Sequence, residues 1–371
     1  MRSPISRRAL ALAGALCALS FGVAACGGSD SGSSSSSSNS SSSSSAKADK
    51  VAVLLPDTKS SDRWETADRP LLAAAFKSAG VDATIQNAEG DKSTQQQQAE
   101  QAITNGAKVL LLVNLDSGSG AAIAANAKSQ GVKVIDYDRL TLKGDSDYYV
   151  SFDNEQVGKL QGQGLVDCLG DKKGAQVAEL NGSPTDNNAT LFKQGYDSKL
   201  DPKYAAGWTK VDDQSVPDWD NQKGGQIFEQ MLTKANGKID GVLAANDGLG
   251  NAAIAVLKKN NLQLPVTGQD ATTQGLQNIL AGDQCMTVYK AIKGEADAAA
   301  ALAVSLAKGE TVNTGQKVTD PESKKDVPAK LLTPIAITKA NVKAVIDDGF
   351  VTKAELCTAA YAAACTAAGI S

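Results

Sequence analysis

The 371-residue sequence contains no histidine at all. Without an imidazole, the chain cannot build a Ser-His-Asp triad, a histidine-based metal site or a histidine pH switch. General acid–base chemistry would fall to carboxylates, lysines or tyrosines. Aromatic residues are also scarce, at 4%, and the formal net charge of −4 gives no basic footprint for nucleic acid. The 42% of hydrophobic residues is ample for packed globular cores.

The first 26 residues have the pattern of a bacterial export signal. Three arginines precede an apolar run, Ala9–Val23, that is too short to span a membrane, and the run ends in Val23-Ala24-Ala25-Cys26, which looks like a lipobox. We therefore predict a lipoprotein signal peptide over residues 1–26 and a lipidated Cys26 that anchors the protein on the extracytoplasmic side of the cell membrane. The alternative is an ordinary cleaved signal with an incidental cysteine. Residues 27–49, rich in Ser, are predicted to be a disordered tether.

Four cysteines remain after the leader, which is an even number for an oxidising compartment: Cys168, Cys285, Cys357 and Cys365. Two disulfides are possible, and the sequence leaves three connectivities open. Cys357 and Cys365 are too far apart to bond along one unbroken helix, so either the tail bends or each pairs elsewhere. The spacing does not favour a metal site.

Strand and helix patterns alternate along the chain from Val51 to about residue 137, and the alternation restarts after residue 153. VAVLLP, VLLLVN and VKVIDY are predicted strands of the first series, and AQVAEL and DGVLAAN belong to the second. Such alternation with short loops indicates parallel sheets with helices on both faces. The predicted class is α/β, with two doubly wound parallel-sheet lobes. The helix expected at 293–308 is assigned to the first lobe.

Polar and aromatic residues follow these strands, at the edge where open α/β sheets bind ligands. They are Arg63, Trp64, Asp138, Arg139, Asn187, Asn188, Trp219, Asn246, Asp270 and Lys290. Planar hydrogen-bonding groups and aromatic plates suit the hydroxyls and C–H face of a neutral sugar. In isolation, Asp138-Arg139 could be a surface ion pair, Asn246-Asp247 a helix cap, and the tryptophans core residues. The tryptophans lie among charged residues in predicted loops, which favours exposure in a cleft; Trp208 is interpreted as structural.

Several segments occur in a fixed order along the chain and carry a resemblance. They include YDR from Tyr137, YVSFDNEQVG from Tyr149, GSPTDNNATLF from Gly182, GQDA from Gly268, MTVYK from Met286 and DVPAKLLTPI from Asp326. As a set, they resemble the periplasmic sugar-binding proteins of ABC importers, closest to the D-xylose-binding proteins. The resemblance extends over residues 50–352.

This resemblance implies a type I periplasmic binding protein fold whose two lobes are joined by a three-segment hinge. Lobe 1 would comprise residues 50–152 and 289–329, lobe 2 residues 153–288 and 330–352, and residues 353–371 a tail of open role. Trp64 and Trp219 would stack on the sugar. The hydrogen-bonding groups would be Arg63, Asp138, Arg139, Asn188, Asn246, Asp270 and Lys290, with Asn187 as an alternative to Asn188.

The implied function is capture of a monosaccharide, D-xylose first, and its delivery to an ABC permease with a cytoplasmic ATPase. The protein would be a monomer without cofactor, metal or catalytic activity, and the lobes would close on the ligand. A sensor for a chemoreceptor or histidine kinase, or a receptor for ribose, arabinose or glucose, would use the same residues. A glycosidase needs two carboxylates with different protonation states, whereas Asp138 and Asp270 are each predicted beside a cation. A sensor-type transcriptional regulator is disfavoured, since no helix-turn-helix precedes Val51 and the chain has an export signal.

Overall fold

The computed structural model describes residues 50–370, which belong to one compact unit. The predicted signal peptide, Cys26 and the whole Ser-rich tether, residues 27–49, lie outside the described residues. Within residues 50–370, no helix is both long enough and apolar enough to cross a membrane. The strands are β1 (Lys50–Leu55), β2 (Asp82–Asn87), β3 (Val109–Leu112), β4 (Lys133–Tyr137), β5 (Tyr148–Phe152), β6 (Gln176–Asn181), β7 (Thr209–Ser215), β8 (Gly241–Ala244), β9 (Thr287–Tyr289), β10 (Gln316–Thr319), β11 (Asp326–Leu332) and β12 (Ile335–Ile337).

The helices connect these strands and cover both faces of the sheets. They are α1 (Arg69–Ser78), α2 (Lys92–Thr104), α3 (Ser117–Ser129), α4 (Asn154–Leu169), α5 (Asn187–Ala205), α6 (Asn221–Lys234), α7 (Asp247–Lys259), α8 (Thr273–Ala281), α9 (Ile292–Ala307), α10 (Lys343–Asp347), α11 (Lys353–Leu356) and α12 (Ala362–Ala367).

Lobe 1 is built on a seven-stranded sheet in the order β10-β11-β5-β4-β3-β1-β2. All its pairs are parallel except β10 with β11. Successive side chains of β1 point to opposite faces: Val51, Val53 and Leu55 pack with α1 and α9, while Ala52 and Leu54 pack with α2 and α3. Both faces are buried, which explains why these strands are continuous apolar runs.

Lobe 2 contains a parallel three-stranded sheet, β7-β6-β8, and the antiparallel pair β12-β9. The segment between them, predicted as the strand LPVTGQD, is mostly irregular, and it joins β8 through one parallel bridge from Val266 to Val242. Its backbone also pairs with the chain leading into β9, since Cys285 N donates to Val266 O at 2.9 Å. Helices α4 and α5 pack on each other against the core of this lobe.

The chain passes between the lobes after β5, after β9 and between β11 and β12. The last crossing differs from the predicted boundary after residue 329, because β11 continues in register with β5 until Leu332 pairs with Phe152. Tyr289 pairs with Ile335 in lobe 2, so the second crossing also follows residue 289. Here β11 ends at the residue that pairs with the last residue of β5, and the local sequence pattern of β11 does not reveal this pairing.

The sequence predicts Asn154 as the cap of a helix that begins at Glu155, and a second helix that begins at Glu65; both starts differ in the structure. Asp153, not Asn154, caps α4 by accepting from Gln156 N, and Asn154 is the first helical residue, with a buried side chain. The helix expected to begin at Glu65 opens earlier, with a π-helical turn over Trp64–Asp68 that precedes α1. This turn buries both Trp64 and Asp68.

Two disulfides join the four cysteines of the described chain. Cys168 is bonded to Cys285, and Cys357 to Cys365, with Cα–Cα distances of 6.4 and 5.9 Å. The second bond forms because the tail bends between α11 and α12, which brings the two residues closer than one helix would allow. The tail packs on α8 in an apolar cluster of lobe 2.

Candidate functional site

A cavity lies between the two lobes at the carboxyl ends of their strands. All nine predicted ligand-binding residues line it: Arg63, Trp64, Asp138, Arg139, Asn188, Trp219, Asn246, Asp270 and Lys290. Residue Asn187 does not, although its side chain is buried nearby in the first turn of α5. The structure thus brings together residues from seven loops that are far apart in the chain.

Asp138 is the charged centre of the lobe 1 wall. Its carboxylate accepts from Arg63 Nη1 at 2.8 Å and from Asn188 Nδ2 at 3.0 Å, and Lys290 Nζ lies 3.6 Å away. Burial alone would raise the pKa of Asp138, but the charges of Lys290, Arg63 and Arg139 outweigh it and lower the pKa to about 2. The carboxylate is therefore ionised at neutral pH and offers only hydrogen-bond acceptors.

Arg63 positions the carboxylate of Asp138 through a network of buried ion pairs. Its guanidinium forms a bidentate pair with Asp68 and a bond of 2.7 Å to Glu295, in addition to the bond to Asp138. Burial disfavours its charge, yet the three carboxylates raise the pKa of Arg63 well above its usual value. The pKa of Glu295 is raised to about 8 by burial, against the attraction of Arg63. Glu295 does not line the cavity.

The two tryptophans are buried, with 2% exposure for Trp64 and 5% for Trp219, rather than exposed in an open cleft as predicted. Each ring also belongs to the hydrophobic core of its own lobe, Trp64 in lobe 1 and Trp219 in lobe 2. The Trp64 indole donates to Ser60 Oγ at 3.0 Å, and the Arg63 guanidinium lies 4.5 Å from the ring centroid. Trp208 lies away from the cavity and donates to a backbone carbonyl, as its structural interpretation expected.

Trp219 is positioned by an unusually close neighbour. A Cβ atom added to Gly182 would lie 2.0 Å from the indole ring, so only glycine leaves room for it. The ring donates to Asp186 Oδ2 at 3.0 Å and meets Phe192 edge-on. The backbone of Trp219 has φ 55°, a conformation that costs energy for a bulky residue and that clusters at functional sites.

Helix caps supply much of the lobe 2 wall. Asn246 Oδ1 caps α7 by accepting from Leu249 N, while its Nδ2 donates across the cleft to Ser60 O at 3.3 Å. Asp186 caps α5 and also pairs with Arg139 of lobe 1 at 3.1 Å. Capping and lining the cavity are thus compatible roles, because a helix that follows a strand begins at the ligand edge of the sheet.

Further contacts hold the lobes together around the cavity. Ser61 Oγ lies 3.3 Å from Asp270 Oδ2, and Lys290 Nζ lies 3.3 Å from Asp270 Oδ1. Asp138 and Asp270 both have positive φ values, of 62° and 103°. Strained backbone at two facing carboxylates is consistent with a site whose geometry is fixed by the surrounding fold.

Five cavity residues were absent from the predicted set: Ser60, Ser61, Asp186, Phe192 and Gln269. Ser60 and Ser61 stand just before the Asp62-Arg63-Trp64 segment, and Asp186 directly precedes Asn187-Asn188. Their position in the sequence, next to predicted site residues, could have indicated these three. Phe192 lies one turn into α5, where an apolar residue is indistinguishable from core.

The arrangement suits binding of a neutral polyhydroxyl compound and not its hydrolysis. Asp138 is held ionised, and Glu295, whose pKa is raised by burial, is outside the cavity, so the paired acid and base of a glycosidase are not assembled. Across residues 50–370, no group of three or more Cys, Asp or Glu side chains is placed to hold a metal ion. The cavity residues instead offer donors and acceptors around two indole rings.

Comparison with known proteins gives concordant matches. Residues 51–311 match the model of the periplasmic binding protein domain family. The chain is 38% identical to a D-xylose-binding periplasmic protein of Escherichia coli K12, covering 84% of this chain and 93% of that protein. It is 35% identical to a multiple sugar-binding periplasmic protein of Azospirillum brasilense, covering 82% and 90%.

A solved structure is similar in fold and in sequence. A carbohydrate transporter solute binding protein from Chloroflexus aurantiacus, in complex with D-glucose, superposes with a TM-score of 0.76 at 31% identity. The match covers 82% of this chain and 97% of that one.

Proposed function

The chain belongs to the periplasmic binding protein family, whose matched members bind solutes and are not enzymes, and from this premise we propose that it captures a monosaccharide between its lobes, with D-xylose as the first candidate. The observation that supports this most directly is the cavity between the lobes, where two tryptophans and planar hydrogen-bonding groups of both lobes converge. Stacking plates and bidentate polar groups are what a sugar ring requires.

The identities of the relatives set the order of the candidate sugars. Two relatives that are 38% and 39% identical are named as D-xylose-binding, whereas two solved structures that are 31% and 28% identical hold glucose. We therefore place D-xylose ahead of hexoses, and ribose, arabinose and glucose remain the alternatives.

The mechanism we propose is closure of the lobes on the sugar. Trp64, Asp138 and Arg139 would bind it from lobe 1, and lobe 2 would add Asn188, Trp219, Asn246 and Asp270. Lys290, at a crossing between the lobes, would contact the sugar and Asp138 together. A ligand that contacts both lobes stabilises the closed state by its differential affinity for that state.

We further propose that the protein acts outside the cytoplasm as a monomer anchored through lipidated Cys26, and that it delivers its sugar to an ABC permease with a cytoplasmic ATPase. The lipobox and the Ser-rich tether support the anchor. Replacing Cys26 with Ser should release the protein from membranes. A sugar sensor for a chemoreceptor or kinase would share the binding site, and loss of sugar uptake on gene deletion distinguishes transport from sensing.

The test is calorimetric titration of the full chain with D-xylose, D-ribose, L-arabinose, D-glucose and D-galactose, with tryptophan fluorescence read in parallel. We expect the tightest binding with D-xylose and a change in fluorescence. Trp219→Phe should weaken binding and remove most of that change, whereas Trp208→Phe, a matched substitution away from the cavity, should preserve both. Absence of binding to every sugar would refute the proposal.

A further inference from the structure

Gln269 is a buried amide in the wall of the cavity. It has 3% exposure, and its Oε1 receives no hydrogen bond from any residue between 50 and 370. A buried polar atom of this kind is costly to leave unpaired, so each instance in a native protein calls for an explanation.

Other buried glutamines with an unpaired Oε1 have evident structural roles. Gln95 Nε2 donates to Val113 O at 2.9 Å, Gln161 Nε2 to Ala245 O at 2.9 Å, and Gln284 Nε2 to Asp247 Oδ1 at 2.8 Å. None of these three lines the cavity between the lobes. Gln269 therefore differs from them in its position.

The backbone around Gln269 is held rigidly. Gln269 O accepts from Asp247 N at 2.9 Å, and on either side Gly268 O accepts from Val288 N while Asp270 N donates to Val288 O. A Cβ atom on Gly268 would lie 2.0 Å from Asp247 Oδ1, so this segment packs with no free space. The backbone that carries the Gln269 side chain is therefore fixed in the wall of the cavity.

On these grounds, and resting on the proposed function above, we propose that Gln269 binds one hydroxyl of the sugar and determines specificity at that position. The amide can accept from the hydroxyl through Oε1 and donate to a sugar oxygen through Nε2. The charged residues of the cavity cannot replace it, because Asp138 only accepts and Arg63 only donates. A sugar without that hydroxyl leaves the amide unpaired and is rejected.

The experiment measures the affinity of the full chain for D-xylose and for its 1-, 2-, 3- and 4-deoxy analogues by calorimetry. In Gln269→Met, which keeps the length of the side chain, we expect affinity for D-xylose to fall about 10-fold to 100-fold. For one analogue, the substitution should change affinity by less than about 3-fold, because the hydrogen bond is already missing. That selective loss is the signature of a direct contact.

Gln95→Met is the matched control, since it removes a buried amide of lobe 1 outside the cavity and should leave all affinities unchanged. Gln269→Leu, which also lacks both hydrogen-bonding groups, is a second variant in case the Met variant does not fold, and it should show the same selective pattern. If the Gln269 variants lose affinity equally for D-xylose and every analogue, or lose none, the inference about Gln269 is overturned. The proposed function would still be upheld in that case, provided that the wild type binds D-xylose. Failure of the wild type to bind any sugar would refute both.

Discussion

Replacing Glu295 with Gln should change how the stability of the protein depends on pH. Glu295 is fully buried behind Arg63, and burial raises its pKa from 4.5 to about 8 in the folded protein. Between these two values the folded state retains a proton that the unfolded state has lost. Stability therefore falls as pH rises through this window and is highest below the unfolded pKa.

The magnitude follows from the linkage relation. The slope approaches about 1.4 kcal/mol per pH unit, and the loss between pH 4.5 and pH 8 is about 4 kcal/mol. Gln keeps an oxygen that can accept the 2.7 Å bond from Arg63 Nη2 but cannot ionise. We therefore expect Glu295→Gln to match the wild type within about 1 kcal/mol at pH 5 and to be more stable by a few kcal/mol at pH 8.

The assay is urea unfolding of both proteins at pH 5, 6, 7 and 8, compared as the difference between variant and wild type, so that all other titrating groups cancel. Glu65→Gln is the control. The hydrogen bond from Arg69 lowers the pKa of Glu65, so this difference should be flat across the same range and change only below pH 4.5. A flat difference for Glu295→Gln as well would show that Glu295 is ionised in the folded protein and refute the reasoning.

Two further predictions concern packing and crosslinks. Gly182→Ala should displace Trp219 and weaken sugar binding at least about 10-fold, as measured by calorimetry, and unchanged binding would contradict the close contact. The control is Gly225→Ala in helix α6, whose added Cβ meets nothing closer than 3.8 Å; it should preserve sugar binding and stabilise the protein by about 0.5–1 kcal/mol in thermal unfolding. Removing the Cys168–Cys285 bond, which spans 117 residues, should destabilise the protein by about 4–5 kcal/mol, because a long loop is constrained in the unfolded chain. Removing the Cys357–Cys365 bond, which spans 8 residues, should cost about 3 kcal/mol or less. Urea unfolding of the two double Cys→Ser variants measures both losses, and a larger loss for the shorter loop would contradict the prediction.

The outline of the site was predictable because parallel strands place their carboxyl ends at one edge. A residue that follows a buried strand, such as Asp138 after β4 or Lys290 after β9, is brought to that edge whatever the details of packing. The resemblance to sugar-binding proteins then selected among such residues. Asn246 was assignable to two roles, and the structure assigns it both.

The partners behind the site were not predictable. Arg63 binds Glu295 across 232 positions of sequence, and nothing local marks an acid in the Ala-rich helix α9 as its counterion. Trp219 depends on the absence of a side chain at Gly182, and Gln269 is distinguished by an oxygen that has no hydrogen bond within residues 50–370 and by its position in the cavity wall. Each of these features depends on contacts between residues that are distant in sequence and meet only in the folded protein.

The sequence by itself determined the alternation of strands and helices, the two lobes, and the classes of chemistry that a chain without histidine cannot perform. These depend on local periodicity and on side-chain chemistry, which act over a few residues. Only the tertiary structure decided the crossing after Leu332, the disulfide pairs, the low pKa of Asp138 and the raised pKa of Glu295. Register, burial and electrostatic coupling arise when distant segments pack together and exclude water, so no local pattern encodes them.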